Sequence, residues 1–300
     1  MLRVRYYTPA PSLAHLIRCY YAVDADVPPT HQLVDTLVPE VAKIRVQLSG
    51  RFHATLLGLP RTAIPEALLG GYQNWPVVVD STGPFRLFGV ELEPLGWTEI
   101  LRVSAAELAD DLCDLSALLG SSVRIWVEQL REAHTDEAMV VLSDRFFQSH
   151  AARYRVPDVA PALIQHMMKP QAQVDAVARA MSLSARQLER WSLRLFGCTP
   201  KLHLRKQRIQ PAIQAFRAQP SLSWLEAAGP WFYDQPHFIK EFKRFTGRTP
   251  SQFQAEQRWL TDVAFITRDR MLSQKLRGML GSRIKTSAGQ QAVFEAIDAD

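Results

Sequence analysis

Two short stretches carry the side chains best suited to recognising another molecule. Arg186, Glu189 and Arg190 lie in "LSARQLERWSLRLFGCTPKLH", and Gln235, His237 and Lys240 lie in "YDQPHFIKEFKRFTGRTPSQF". Arginine and lysine donate to O6 and N7 of guanine, glutamine pairs with adenine, and glutamate accepts from N4 of cytosine, so these six could read base edges in a duplex. Arg194, Lys243, Arg244 and Arg248 follow in the same stretches. They suit phosphates, contacts that orient a protein on a duplex without reading its sequence. A solvated basic surface would present the same groups, and His237 fits a phosphate contact or local packing equally well. Catalytic chemistry has no comparable signature: the chain shows no nucleophile elbow, phosphate-cradling loop or zinc pair. His15, His31 and His53 stand apart, and Glu91 and Glu93 share a strand face without a histidine partner. No catalytic residue, metal or cofactor is assigned, because a metal site needs converging ligands.

The two stretches are copies of one element. At an offset of 50, Ser184 aligns with Asp234, Leu188 with Phe238, Arg190 with Lys240, Arg194 with Arg244, Gly197 with Gly247 and Pro200 with Pro250. Such self-similarity marks a repeated supersecondary unit. Ser184 and Asp234 are helix N-caps, and Pro236 falls in the first turn, where its missing N–H costs nothing. Gly197 and Gly247 suit the left-handed position that closes a helix, and Thr-Pro follows each. The spacing predicts Leu188, Trp191 and Leu195 as the apolar stripe of the first helix, and Phe238, Phe242 and Phe245 as that of the second. Before each copy, "QVDAVARAMSLS" and "SLSWLEAAGPWFYD" read as short helices with small residues, Ala178 and Ala227 or Ala228, where a second helix must approach closely. Short helix, tight turn and capped helix make a helix-turn-helix, whose second helix enters the major groove by its N-terminal turns.

Charge follows the same division. The 300 residues carry +5 overall, but residues 171 to 258 hold 14 Lys and Arg against 6 Asp and Glu, while residues 1 to 170 hold 15 against 19. A basic segment beside a mildly acidic one is the pattern expected when one domain alone meets a polyanion. The first twenty residues lack the apolar run of roughly 7–15 residues of a signal peptide. No window approaches the roughly 18 apolar residues of a membrane helix. Cys19, Cys113 and Cys198 are odd in number and far apart. A cytoplasmic protein with reduced thiols is expected.

The segment "FYDQPHFIKEFKRFTGRTPSQF", with the upstream copy, resembles the AraC/XylS family of bacterial transcription regulators over roughly residues 166 to 256. The resemblance implies two recognition helices joined by a long helix, here "PKLHLRKQRIQPAIQAF", entering successive major grooves on one face of promoter DNA. Two departures bear on geometry. Pro230 and Trp231 stand where the family turns on glycine, so the turn must shift or Gly229 must supply the positive φ. Pro211 lies inside the connecting helix, where it deletes a hydrogen bond and could kink the rod.

Residues 5 to 95 alternate apolar runs with Pro and Gly breaks, and "KIRVQLSG", "FHATLLGL", "PVVVDSTG" and "FRLFGVELEP" read as strands of an antiparallel barrel or jelly roll. This arrangement resembles, more weakly, the cupin-like sensor domain of some AraC-type regulators. Trp75, Phe85, Phe88 and Trp97 are candidate walls of a ligand pocket, or core. "LADDLCDLSALL", "SSVRIWVEQLREA" and "DEAMVVLSDRFFQ" read as helices that pack on the barrel or pair two chains. The expected fold class is α+β: a β-rich domain with helices over 1–150, a linker at 151–165, an all-α domain of two helix-turn-helix units over 166–258, and a tail at 259–300. The expected function is sequence-specific regulation of transcription. Its partners would be double-stranded promoter DNA, a small-molecule effector, a second copy of the chain, and RNA polymerase if the protein activates. The alternatives are a cupin-type barrel enzyme with a basic accessory domain and a nucleoid-type binder without specificity.

Overall fold

The computed structural model describes residues 2–39, 41–56, 58–151 and 156–256. Among the described residues, ten strands occupy the first half: β1 (Leu2–Tyr7), β2 (Ile17–Ala25), β3 (Gln32–Leu37), β4 (Lys43–Ser49), β5 (Phe52–Thr55), β6 (Thr62–Ala63), β7 (Ala67–Gly70), β8 (Val77–Thr82), β9 (Phe85–Leu92) and β10 (Leu112–Asp114). They form two sheets, one of six strands in the order β1-β2-β9-β4-β7-β10 and one of four in the order β3-β8-β5-β6. The β-rich first half and helical second half agree with the expected class, with the strands divided between two sheets rather than closed into one barrel.

Strand β9 explains why both sheets are needed. Phe88, Val90 and Leu92 enter one core with Trp97, Trp126 and Phe147, while Phe85 and Leu87 enter another with Tyr21, Leu33 and Phe52. Alternate side chains point to opposite faces, so a strand apolar on both must be covered on both. The four-stranded sheet covers one face. The other is covered by α1 (Pro94–Gly96), which continues as a π turn through Leu101, by α2 (Ser116–Leu119), and by the pair α3 (Ser122–Glu132) and α4 (Asp136–Ala151).

The helix read in "LADDLCDLSALL" is a correction over all but its end, where Ser116–Leu119 is α-helix. Ala105–Leu108 is one 3-10 turn, and Leu112, Cys113 and Asp114 pair with Gly70, Leu69 and Leu68. Asp110 takes φ 58. Its carboxylate accepts from the backbone N–H and side-chain amide of Asn74 at 2.5 and 2.8 Å. An open sheet edge on β7 and these tertiary bonds to Asn74 outweigh the apolar spacing.

The second half contains α5 (Val159–Met167), α6 (Val174–Ala180), α7 (Ala185–Phe196), α8 (Pro200–Ala218), α9 (Trp224–Ala228), α10 (Gln235–Thr246) and α11 (Pro250–Ala255). Two cores lie along it. The first gathers Leu163, Met167, Val177, Leu188, Leu195 and Leu204, and the second Ile213, Phe216, Phe238, Phe242, Phe245 and Phe253. Because α5 starts at Val159 and buries Ala160 and Leu163, the stretch expected as linker already contains structured helix. Helix α8 spans both cores and runs through Pro211 without ending there. Thr199 and Thr249 each begin a new helix, accepting from the N–H of Leu202 and Gln252. The tail expected at 259–300 lies outside the described residues.

His203, on α8, is buried with its ring centroid 3.9 Å from that of Phe196. Burial, reinforced by the Lys206 charge, pushes its pKa down to about 3. The unfolded chain takes up this proton near pH 6.5 and the folded chain does not. The stability is therefore present above pH 6.5 and is lost as the pH falls towards 3. Urea unfolding is expected to lose about 1.5 kcal/mol from this group between pH 6.5 and 5. His203→Leu should flatten that part of the profile, and an unchanged profile would refute the assignment.

Candidate nucleic-acid interface

Local chemistry starts and stops both reading helices where the sequence expects. Ser184 and Gln187 form a reciprocal capping box at α7, and Asp234 Oδ1 accepts from the backbone N–H of His237 at 2.8 Å at α10. Gly197 and Gly247 close them with φ of 68 and 72. In the turn before α10 it is Gly229, at φ 55, that supplies the positive φ, so Pro230 and Trp231 sit in a 3-10 turn without strain. The corresponding turn before α7 uses Ser182 at φ 52.

The faces divide as the spacing predicts. Leu188, Leu195, Phe238, Phe242 and Phe245 are buried, and Trp191 is half-buried. Arg186, Glu189, Arg190, Gln235, His237 and Lys240 are all exposed. The expected phosphate contacts are less uniform. Lys243 is exposed, Arg194 lies over Trp191 at 5.7 Å, and Arg248 pairs with Glu256 at 3.3 Å. Arg244 is turned to the first half of the chain, its guanidinium 4.5 Å from the Trp75 ring.

Three features escape sequence reading. Glu241, inside the apolar stripe, forms a two-pronged ion pair with Arg205, with Nε to Oε2 at 2.6 Å, tying α10 to α8. Its only signal was a carboxylate on the stripe of an amphipathic helix. Tyr233, directly before the Asp234 cap, is 97% exposed. Lys206 is buried and donates to Asn74 Oδ1 at 2.9 Å and to the Gln73 carbonyl at 3.3 Å, both in the first half of the chain. Pairing across so long a separation leaves no local pattern.

A cavity of about 120 Å³ lies between the sheets, lined by Tyr21, Phe52, Val79, Leu87 and Leu112, among others. Its charged lining is basic: Lys43, Arg45 and, from the last turn of α8, Arg217. Trp75, Phe85, Phe88 and Trp97 are not among its walls. Phe88 and Trp97 face the opposite core, Phe85 packs edge-on to the cavity wall residue Phe52, and Trp75 lies under Arg244. The alternation of β9 puts Leu87, not Phe88, on the cavity side.

Residues 177–256 match the family described as Helix-turn-helix domain, and residues 5–114 match the one described as Domain of unknown function (DUF6597). No curated protein matches the chain. Among solved structures, ToxT from Vibrio cholerae is 13% identical, covering 79% of this chain and 98% of that one with a TM-score of 0.42. The AraC-like transcriptional activator CuxR is 12% identical, covering 72% and 86% with a TM-score of 0.26. A cupin superfamily protein from Desulfitobacterium hafniense is 9% identical, covering 31% and 77% with a TM-score of 0.23. Residues 177–256 are thus a helix-turn-helix domain of the AraC type, the DNA-binding part of a transcription regulator, joined to an amino-terminal domain of the DUF6597 family.

Proposed function

We propose that the protein reads two successive major grooves of promoter DNA, with Arg186, Glu189 and Arg190 of α7 in one and Gln235, His237 and Lys240 of α10 in the next. The observation that carries this reading is the exposure of all six side chains at the capped N-terminal ends of two buried-stripe helices. Tyr233 stands at the same end of α10 and adds a hydroxyl and an aromatic face. Lys243 serves phosphate, Arg194 and Arg248 reach it by leaving Trp191 and Glu256, and Arg244 donates to it from the edge of its guanidinium while stacked on Trp75. The DNA-binding domain spans 166–258 in this reading, extended upstream by α5.

The amino-terminal domain modulates occupancy. Its cavity, apolar but ringed by basic groups, suits a compact molecule with an apolar body and an acidic group, about the size of one aromatic ring. Exposed Ile125 and Val141 on α3 and α4 favour pairing of two chains as a second route. Lys43 and Arg18 engage Glu91 and Glu93 as ion pairs, which favours a structural role for these carboxylates over an enzymatic one.

Selection of bound fragments from a random-sequence duplex pool tests the reading. Arg190→Ala and Lys240→Ala are each expected to relax preference in a different half of the enriched site by about 1–3 kcal/mol. Equal weakening on every sequence would reduce both to phosphate contacts. Competition by unrelated DNA with a steep salt dependence and no preferred site would favour the nucleoid-type alternative.

A further inference from the structure

The segment Gly70–Pro76, "GGYQNWP", meets the DNA-binding half at several separate points. A Cβ on Gly197, the residue that ends α7, would lie 3.2 Å from Cβ of Tyr72. Gln73 and Asn74 hold the buried ammonium of Lys206 on α8, and Asp110 in turn holds Asn74. Trp75 lies under Arg244 of α10. A Cβ on Gly247, the residue that ends α10, would lie 3.3 Å from Cγ of Pro76. Five consecutive residues therefore touch the C-terminal ends of both reading helices and the rod between them. The contacts run in one order: chain position along the segment follows position along the DNA-binding half, from α7 through α8 to α10.

The rod needs such support. Pro211 has no N–H to give the carbonyl four residues back, so the hydrogen-bond ladder of α8 is interrupted between the two units. A helix interrupted in this way bends more readily at that point. The first domain grips it in the turn leading into Pro211, at Lys206 and at Gln210, whose amide donates to the Pro39 carbonyl at 2.6 Å.

We infer that the segment Gly70–Pro76 is a positioning element that sets the separation and angle of the two reading helices, and so the spacing of the half-sites the protein accepts. This rests on the two-groove reading proposed above. The reading helices determine which bases are recognised; the segment determines how far apart they lie. Gly70, Gly71 and Gln73 also line the cavity, so a ligand there adjoins the element that holds both helices.

The test is selection from a random-sequence duplex pool with the full chain, comparing wild type with Trp75→Ala, Trp75→Phe and Lys206→Met. Trp75→Ala removes the half-exposed ring under Arg244, Trp75→Phe keeps an aromatic face there, and Lys206→Met replaces the buried ammonium with an apolar chain of similar length. Wild type is expected to enrich two half-sites at one spacing. Trp75→Ala and Lys206→Met should enrich the same half-site bases while the preference for that spacing over one shifted by a base pair drops about fivefold, the size of one cation–π stack. Trp75→Phe should retain most of it. If wild type enriches no two-part site, the two-groove reading fails. If wild type does so and both Trp75→Ala and Lys206→Met keep its spacing preference, or change the half-site bases instead, the inference is overturned.

Discussion

Phe238→Ala is expected to cost about 3–5 kcal/mol, the range for emptying a fully buried phenylalanine site. The ring is 0% exposed and packs within 5.1–6.3 Å, centroid to centroid, of Phe232, Phe242, Trp224 and Phe216. These partners come from α8, α9, α10 and the turn before α10, so the cavity cannot be closed by one element shifting. A loss of this size is a large fraction of the 5–15 kcal/mol that holds a typical domain. Urea unfolding should show it directly, and binding to the enriched site should fall with it. Lys240→Ala, two residues away and exposed, gives the contrast: an unchanged unfolding midpoint with relaxed sequence preference. If Phe238→Ala unfolds like wild type, the stripe is not the core of the second unit.

Lys43→Met is expected to destabilise the amino-terminal domain by about 3 kcal/mol, because it takes the facing ammonium away from a buried carboxylate. Lys43 Nζ lies 3.1 Å from Glu91 Oε1, and the Glu91 side chain is 1% exposed between strands β4 and β9. Taking both charges away removes the problem, so Lys43→Met with Glu91→Leu should recover most of the loss. Thermal or urea unfolding of the two single variants and the double closes the cycle. Additive losses would mean that the two side chains do not depend on each other. Lys43 also lines the cavity, so the double variant leaves Arg45 and Arg217 as its charged groups.

Much of the DNA-binding half is legible in the sequence. Ser184, Asp234, Gly197 and Gly247 mark helix ends through bonds and backbone angles that involve only neighbouring residues. Phe238, Phe242 and Phe245 reveal their common face by helical spacing alone, and Leu188 and Leu195 repeat it in the first copy. Gly229 too was identifiable as the residue able to take φ 55.

The amino-terminal domain was less legible for a physical reason. In "LADDLCDLSALL" the apolar spacing favoured a helix, but Leu112–Asp114 completes the edge of a sheet whose partner, β7, lies more than forty residues earlier. The aromatic residues offered as pocket walls were of the right type, and yet Phe88 and Trp97 face the core and Trp75 faces Arg244. Residue type predicts burial; it does not say into which of two neighbouring spaces a side chain is buried.

Periodicity, capping and charge, all properties of short stretches, therefore established a duplicated basic helix-turn-helix and the exposure of its reading residues. The cavity with Arg217 at its wall, the Lys206 lock and the stack of Arg244 on Trp75 came from the fold. Each joins residues more than a hundred positions apart, and contacts at that range arise from packing one domain against another, for which local spacing carries no record.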